Sequence, residues 1–183
     1  MRRPRTVAAA RNWRLAAALV VALLFGAPAA AQTEYQVKGA MLYNIARFVD
    51  WPQTRRGQTS VQLCVLGSDP FGPALDAFDG RPVGQGVLKI RRVTRTEETG
   101  LCNMLFIPGS EATRLPGVLA ALHGRPVLTV SETPGAAERG AVLNLFLEQS
   151  RVRFEINIDA AQRSGLTISS QLLKLARITH DRT

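Results

Sequence analysis

RVRFEINIDAAQRSGLTISSQLLKLARI, spanning Arg151–Ile178, is the stretch whose reading decides the fold. It opens with strict alternation. Val152, Phe154, Ile156 and Ile158 point one way, and Arg151, Arg153, Glu155 and Asn157 point the other. A period of two means a strand with one buried face and one wet face. Asp159 then stands where a helix N-cap is expected, with Gln162 three residues on to reach back to it. Gly165 closes that short helix. Ile168, Leu172, Leu175 and Ala176 follow at the spacing of a single helical face, which predicts an amphipathic C-terminal helix.

Working outward, VLNLFLE (Val142–Glu148) is a strand, and Gln149-Ser150 turns it tightly into Arg151. The two strands therefore form an antiparallel hairpin. Four more strands lie upstream: Val61–Leu66, Val87–Val93, Cys102–Ile107 and Pro126–Val130. The first and third are almost continuously apolar, the mark of strands buried on both faces. Lys89 and Arg91 share a face of the second, which reads as a sheet edge.

Helical segments alternate with these strands. Thr33-Glu34-Tyr35-Gln36 is a capping box that opens a helix from Glu34 to about Val49. Val37, Met41, Asn44, Ile45 and Phe48 make its apolar stripe, with Asn44 expected as a satisfied amide. Trp51-Pro52 stops it, because the residue before proline avoids the helical region. Gln53–Thr59 is a polar, basic loop. Pro73–Phe78 is a short helix, and another runs from Pro108-Gly109-Ser110-Glu111 to His123-Gly124. Ser131–Gly140 is a loop rich in glycine, proline and charge. The pattern predicts a single-domain α/β fold, a mostly parallel sheet flanked by helices with a C-terminal antiparallel hairpin. A flavodoxin-like strand order sets the first strand beside the third, where Cys64 can meet Cys102.

The N-terminus is of another kind. Arg2, Arg3, Arg5, Arg11 and Arg14 precede the eleven-residue apolar run Leu15–Phe25, and Ala29-Ala30-Ala31 follows. This is a signal-peptide pattern, too short in its apolar run to span a bilayer. Residues 1–31 are expected to be cleaved, leaving 32–183 as one soluble periplasmic domain. The net charge then falls from +9 to +4, because five of the 23 basic residues belong to the signal. The mature chain has no basic run interleaved with aromatics, so nucleic-acid binding is set aside. Two cysteines in an oxidising compartment favour a disulfide.

Three strands are each followed by a serine–acid pair: Ser68-Asp69, Ser110-Glu111 and Ser131-Glu132. The carboxyl ends of strands in open α/β sheets are where ligands bind. A phosphoacceptor site needs an aspartate ending a central strand, but Leu66 leads to Gly67 and Ile107 to Pro108. Serines capping turns and acids in first turns explain the pairs better, and no metal is expected. Of the two histidines, His123 ends a helix and His180 falls in a tail expected to fray. No nucleophile elbow, dinucleotide fingerprint or zinc cluster is present, so neither an enzyme nor a cofactor is expected. What remains are surfaces. Arg151, Arg153, Glu155 and Asn157 line the wet face of the last strand. Asn44 and Arg47 lie on the first helix, and Lys174 and Arg177 on the last.

KGAMLYNIARFVDWP (Lys38–Pro52), VQLCVLGSDPFGPALDAFDG (Val61–Gly80), GRPVLTVSETPGAAERGAVLNLFLE (Gly124–Glu148) and the opening stretch resemble the YfiR family of periplasmic proteins. The resemblance covers nearly all of the mature chain. Cys64 and Cys102 match the pair linked in that family. Some relatives carry a second pair, so a two-disulfide redox scheme is not available here. The resemblance implies a homodimer that binds the periplasmic sensor domain of a membrane diguanylate cyclase, YfiN, and holds it inactive. Release then raises cyclic-di-GMP and promotes biofilm formation. It makes Asn44, Arg47, Arg151, Arg153, Glu155, Asn157, Lys174 and Arg177 candidate partner contacts. The chain would be near a membrane only through that partner. The alternative is a periplasmic small-ligand sensor or envelope-binding protein without a cyclase.

Overall fold

The structure, a computed structural model, describes residues 33–51 and 59–182. The predicted signal peptide, and all but the end of the predicted Gln53–Thr59 loop, lie outside the described residues. The capping box that opens helix α1 (Glu34–Arg47) is formed. Thr33 Oγ1 accepts the Gln36 N–H at 3.3 Å, and Gln36 Oε1 accepts the Thr33 N–H at 2.8 Å. The helix stops at Arg47, short of the predicted Val49, which opens strand β1 (Val49–Asp50). Trp51 turns back and its indole N–H donates to the Ala46 carbonyl at 2.9 Å, so a helix-end acceptor that would otherwise be orphaned is satisfied.

The buried face of α1 is Lys38, Gly39, Leu42, Ile45 and Ala46, rotated from the predicted Val37–Met41–Asn44 stripe. The rotation follows from what the helix meets. Leu75 and Phe78 come within 3.7 Å of where a Gly39 side chain would begin. Asn44 is exposed and is no core amide.

The remaining elements are β2 (Ser60–Leu66), α2 (Pro73–Asp76), β3 (Pro82–Val83), β4 (Gly86–Val93), β5 (Met104–Ile107), α3 (Leu115–Ala121), β6 (Leu128–Ser131), β7 (Leu143–Glu148), β8 (Arg151–Asn157), α4 (Ile158–Arg163), β9 (Thr167–Ile168), α5 (Ser170–Leu173) and β10 (Arg177–Thr179). Eight strands form one sheet in the order β10-β8-β7-β6-β5-β2-β4-β3. All neighbours are parallel except β7–β8 and β3–β4. The first long strand does lie beside the Met104–Ile107 strand, as the flavodoxin-like order requires. The Val87–Val93 strand is not the outermost one, because the two-residue β3 pairs along its start.

Alternation sends each central strand into two cores. Val61, Leu63, Val65, Met104, Phe106, Leu128 and Val130 pack with α1, α2, α4 and α5 on one face. Cys64, Leu66, Leu105 and Ile107 pack with Leu115, Val118 and Leu122 around α3 on the other. A strand buried on both sides needs apolar residues throughout, which is why β2 and β5 lack polar alternation. The Cys64–Cys102 disulfide lies in the second core, with the two Cα atoms 5.8 Å apart.

The C-terminal third departs most from the sequence reading. The cap of α4 is Asn157, whose Oδ1 accepts the Ala160 N–H at 2.9 Å, and Asp159 sits in the first turn instead. Gly165 follows α4 with φ 64°, a conformation that suits glycine beyond a helix end. The predicted C-terminal helix is only the one turn of α5, capped by Ser169. Ile168 is drawn into β9, which pairs antiparallel with β1. Arg177–Thr179 add to the sheet beside β8, and Leu175 is 73% exposed between them. The tail does not fray. His180 bonds Asp159 at 3.1 Å, Asp181 pairs with Arg163, and Arg182 pairs with Glu138 at 2.6 Å.

Candidate functional site

The β7–β8 hairpin is built by its turn. Gln149 and Ser150 have φ of 49° and 60°, the two left-handed residues of a type I′ turn, whose twist matches that of the strands it joins. The turn fixes the register Glu148↔Arg151, Phe146↔Arg153 and Asn144↔Glu155. β10 adds Arg177 opposite Glu155. With side chains alternating, Glu148, Arg151, Arg153, Glu155 and Arg177 share one face.

Charges on that face are partly paired. Arg177 Nη2 lies 2.7 Å from Glu148 Oε1, and its guanidinium sits 4.4 Å from the Phe146 ring centroid. Arg153 Nε is 3.9 Å from Glu148 Oε2, a loose and exposed contact worth little in water. Glu155 accepts the Asn144 amide N–H at 3.1 Å. The face thus presents two exposed arginines, Arg151 and Arg153.

Asn157 does not belong to this face. It is fully buried, caps α4, and donates from Nδ2 to the Ala137 carbonyl at 2.6 Å and to Asp181 Oδ1 at 2.8 Å. The alternation misleads here because the strand ends at Asn157, where the chain turns into the helix. Lys174 is exposed at the end of α5. Asn44 and Arg47 are exposed on α1, and the contact of Arg47 is local, 5.8 Å from the Tyr43 ring centroid. The structure therefore gathers Arg151, Arg153, Glu155 and Arg177, while Asn44, Arg47 and Lys174 stand on other elements.

A second constellation was missed. Lys38 is 4% exposed, and its ammonium reaches both Glu34 and Glu132, the latter at 2.5 Å. Glu132 also accepts the Tyr35 hydroxyl at 3.2 Å and the Gly109 N–H at 2.9 Å. Burial works against the Lys38 charge, but the hydrogen bonds the ammonium donates to Glu132 and Glu34 outweigh it and raise its pKa. The Tyr35 hydroxyl is also raised, first by burial and then by the Glu132 charge beside it. The acid after β6 is therefore a clamp on α1, more than a first-turn acid. The Glu34–Lys38 spacing of four residues was the available signal. Ser131 behaves as expected of a turn serine, its Oγ accepting the Thr133 N–H at 3.1 Å. Gly67 (φ 70°) ends β2 where a side chain would strike the Glu111 carboxylate. Among the described residues no group of three or more His, Cys, Asp or Glu could hold a metal ion.

Comparison with known proteins gives the fold and the hairpin their context. The family model described as YfiR/HmsC-like matches residues 35–177. The chain belongs to the YfiR/HmsC-like family. Proteins of this YfiR-like family are periplasmic regulators. Among solved structures it is similar to a conserved domain protein from Vibrio cholerae O1 biovar El Tor, with a TM-score of 0.51 and 12% identity. That match covers 80% of this chain but only 60% of the Vibrio protein's length. It is also similar, with a TM-score of 0.48 and 15% identity, to the ABC domain in complex with L-Trp from Streptococcus pneumoniae, over 65% of this chain and 55% of that one.

Proposed function

We propose that this protein binds the periplasmic sensor domain of a membrane diguanylate cyclase and represses it, so that its release raises cyclic-di-GMP and promotes biofilm formation. Membership of the YfiR/HmsC-like family over residues 35–177 carries the reading. The hairpin, with Arg151 and Arg153 exposed and Arg177 alongside, supports the reading as a candidate contact surface. Repression is a population shift: the regulator binds the inactive cyclase more tightly than the active one and draws the equilibrium that way. Homodimerisation is part of the proposal. Residues 1–31 act as a cleaved export signal in this reading.

Deleting the gene tests it. Cyclic-di-GMP is expected to rise in a strain that retains the partner cyclase and to stay unchanged in a strain lacking it. An unchanged level in the strain with the cyclase refutes the reading.

A second reading, a small-ligand sensor, has one observation in its favour. A cavity of about 780 Å³ lies between α3 and the C-terminal tail, with Leu115 and Leu119 on one side and His123, Arg139 and Arg163 around it. That size suits a small molecule. Saturable binding of a metabolite to the purified domain, with cyclic-di-GMP indifferent to deletion, selects this reading instead.

A further inference from the structure

The hairpin leaves a strand edge open. β7 pairs with β8 from Leu143 to Glu148, but with β6 only at Val130↔Leu143 and Ser131↔Asn144. Leu145–Glu148 therefore run past their last β6 neighbour. The two-residue turn makes Glu148/Arg151 a hydrogen-bonded pair, so Phe146/Arg153 and Asn144/Glu155 are hydrogen-bonded pairs too. Leu147, between them, turns its N–H and C=O away from β8. An edge of this kind is a template for another strand.

A groove of about 640 Å³ lies along that edge, where β6 would have continued. Leu145, Phe146 and Leu147 form one wall, and Tyr35 and Pro134 line the groove with them. Its charged lining is Glu34, Glu132, Glu138 and Glu155 against Lys38 and Arg177, an excess of two negative charges. Asn144 lines it as well, and its buried Oδ1 has no hydrogen-bond partner among the described residues. Leu147 is 54% exposed beside it.

We propose that the open edge of β7 takes up an extended segment of the protein partner as an added strand, with a lysine or arginine of that segment directed at the acidic wall. This rests on the reading that the protein acts by binding a protein. The observations favour a strand over a compact ligand. A strand alone supplies alternating donors and acceptors to the backbone of β7, while its side chains alternate between groove and solvent. The acidic excess selects a basic side chain, and the Asn144 oxygen accepts a donor.

The test uses the mature protein and the purified periplasmic domain of the cyclase that co-purifies with it. Amide hydrogen exchange is compared with and without that domain. Slowed exchange at the Leu147 amide is expected on binding. Leu147→Pro deletes an outward N–H at a position where proline is tolerated, and is expected to weaken binding about tenfold. Glu155→Gln, at a groove carboxylate outside the Lys38 clamp, is expected to weaken it also. If the Leu147→Pro chain fails to fold, the exchange pattern of the unaltered protein still decides. Binding with protection confined elsewhere overturns this inference and leaves the proposed function standing. Protection of Leu147 that grows with concentration in the protein alone assigns the edge to a second copy, and also overturns it. Failure of any cyclase domain to bind removes the proposed function and this inference together.

Discussion

Replacing Asn157 with alanine should cost stability and leave the exposed hairpin face untouched. The side chain is fully buried and makes three hydrogen bonds, to Ala160 N at 2.9 Å, Ala137 O at 2.6 Å and Asp181 Oδ1 at 2.8 Å. Loss of an N-cap costs about 1 kcal/mol. Leaving the Ala137 carbonyl buried without its donor costs roughly another 1–2 kcal/mol. Asp181 retains Arg163, so the third bond adds less. The sum is about 3 kcal/mol, which for a domain near 150 residues lowers the melting temperature by roughly 6–12 °C. Thermal unfolding followed by circular dichroism measures it. Asn157→Asp provides the control. It keeps the cap acceptor but points a carboxylate at the Ala137 carbonyl and at Asp181, so it is expected to be at least as damaging at neutral pH. An Asn157→Ala protein that melts with the unaltered one would refute the assignment of this residue to the interior.

Other outcomes follow from the same geometry. Reducing Cys64–Cys102 opens a link between residues 38 apart, and the chain-entropy model assigns it about 4 kcal/mol, so a clear fall in melting temperature with a phosphine reductant is expected, and an unchanged one counts against a stabilising bond. Arg153→Glu removes an exposed arginine whose nearest acid is 3.9 Å away, so cyclase binding is expected to weaken with the melting temperature constant; equal loss of both assigns Arg153 a structural role. The Asp181 carboxyl is held below the ordinary range by the hydrogen bond from Arg163, and Asp159 by the one from His180. Carboxyls lowered on folding stabilise above their unfolded pKa of about 3.9 and lose that contribution as pH falls through the lower folded value. The tail is therefore expected to detach in acid, visible as loss of amide protection at Asp181 and Arg182. Asp181→Asn removes most of that acid step, and loss of protection on acidification that is the same with and without Asp181→Asn refutes the linkage.

The elements that sequence made legible share a cause: each is specified by residues adjacent in the chain. The capping box at Thr33, the Gln149-Ser150 turn and the unbroken apolar strands around Cys64 and Leu105 are of this kind. The failures lie where a distant element intervened. Ile168, Leu172, Leu175 and Ala176 keep helical spacing, yet β1 captures the first by strand pairing and the sheet captures the chain just beyond the last. Lys38 lies outside the predicted apolar stripe of its helix, and its burial depends on Glu132, which pairs with it inside from 94 residues away. Asn157 reads as wet because alternation cannot register that its strand ends there. Of the candidate surface, the arginines on β8 were legible, whereas the groove beside β7 depends on where β6 stops and has no local signature.

The clamp of Glu132 on Lys38 and Tyr35 joins residues 94 and 97 apart in the chain. Such contacts come late in folding, since each must close a long loop before it is rewarded. Helix α1 is made early, but its ammonium finds no carboxylate from β6, and β1 no strand, until most of the polypeptide has been synthesised. An incomplete chain therefore has little to fold around at its beginning. Delay of this kind leaves the closure of the fold to the segments made last.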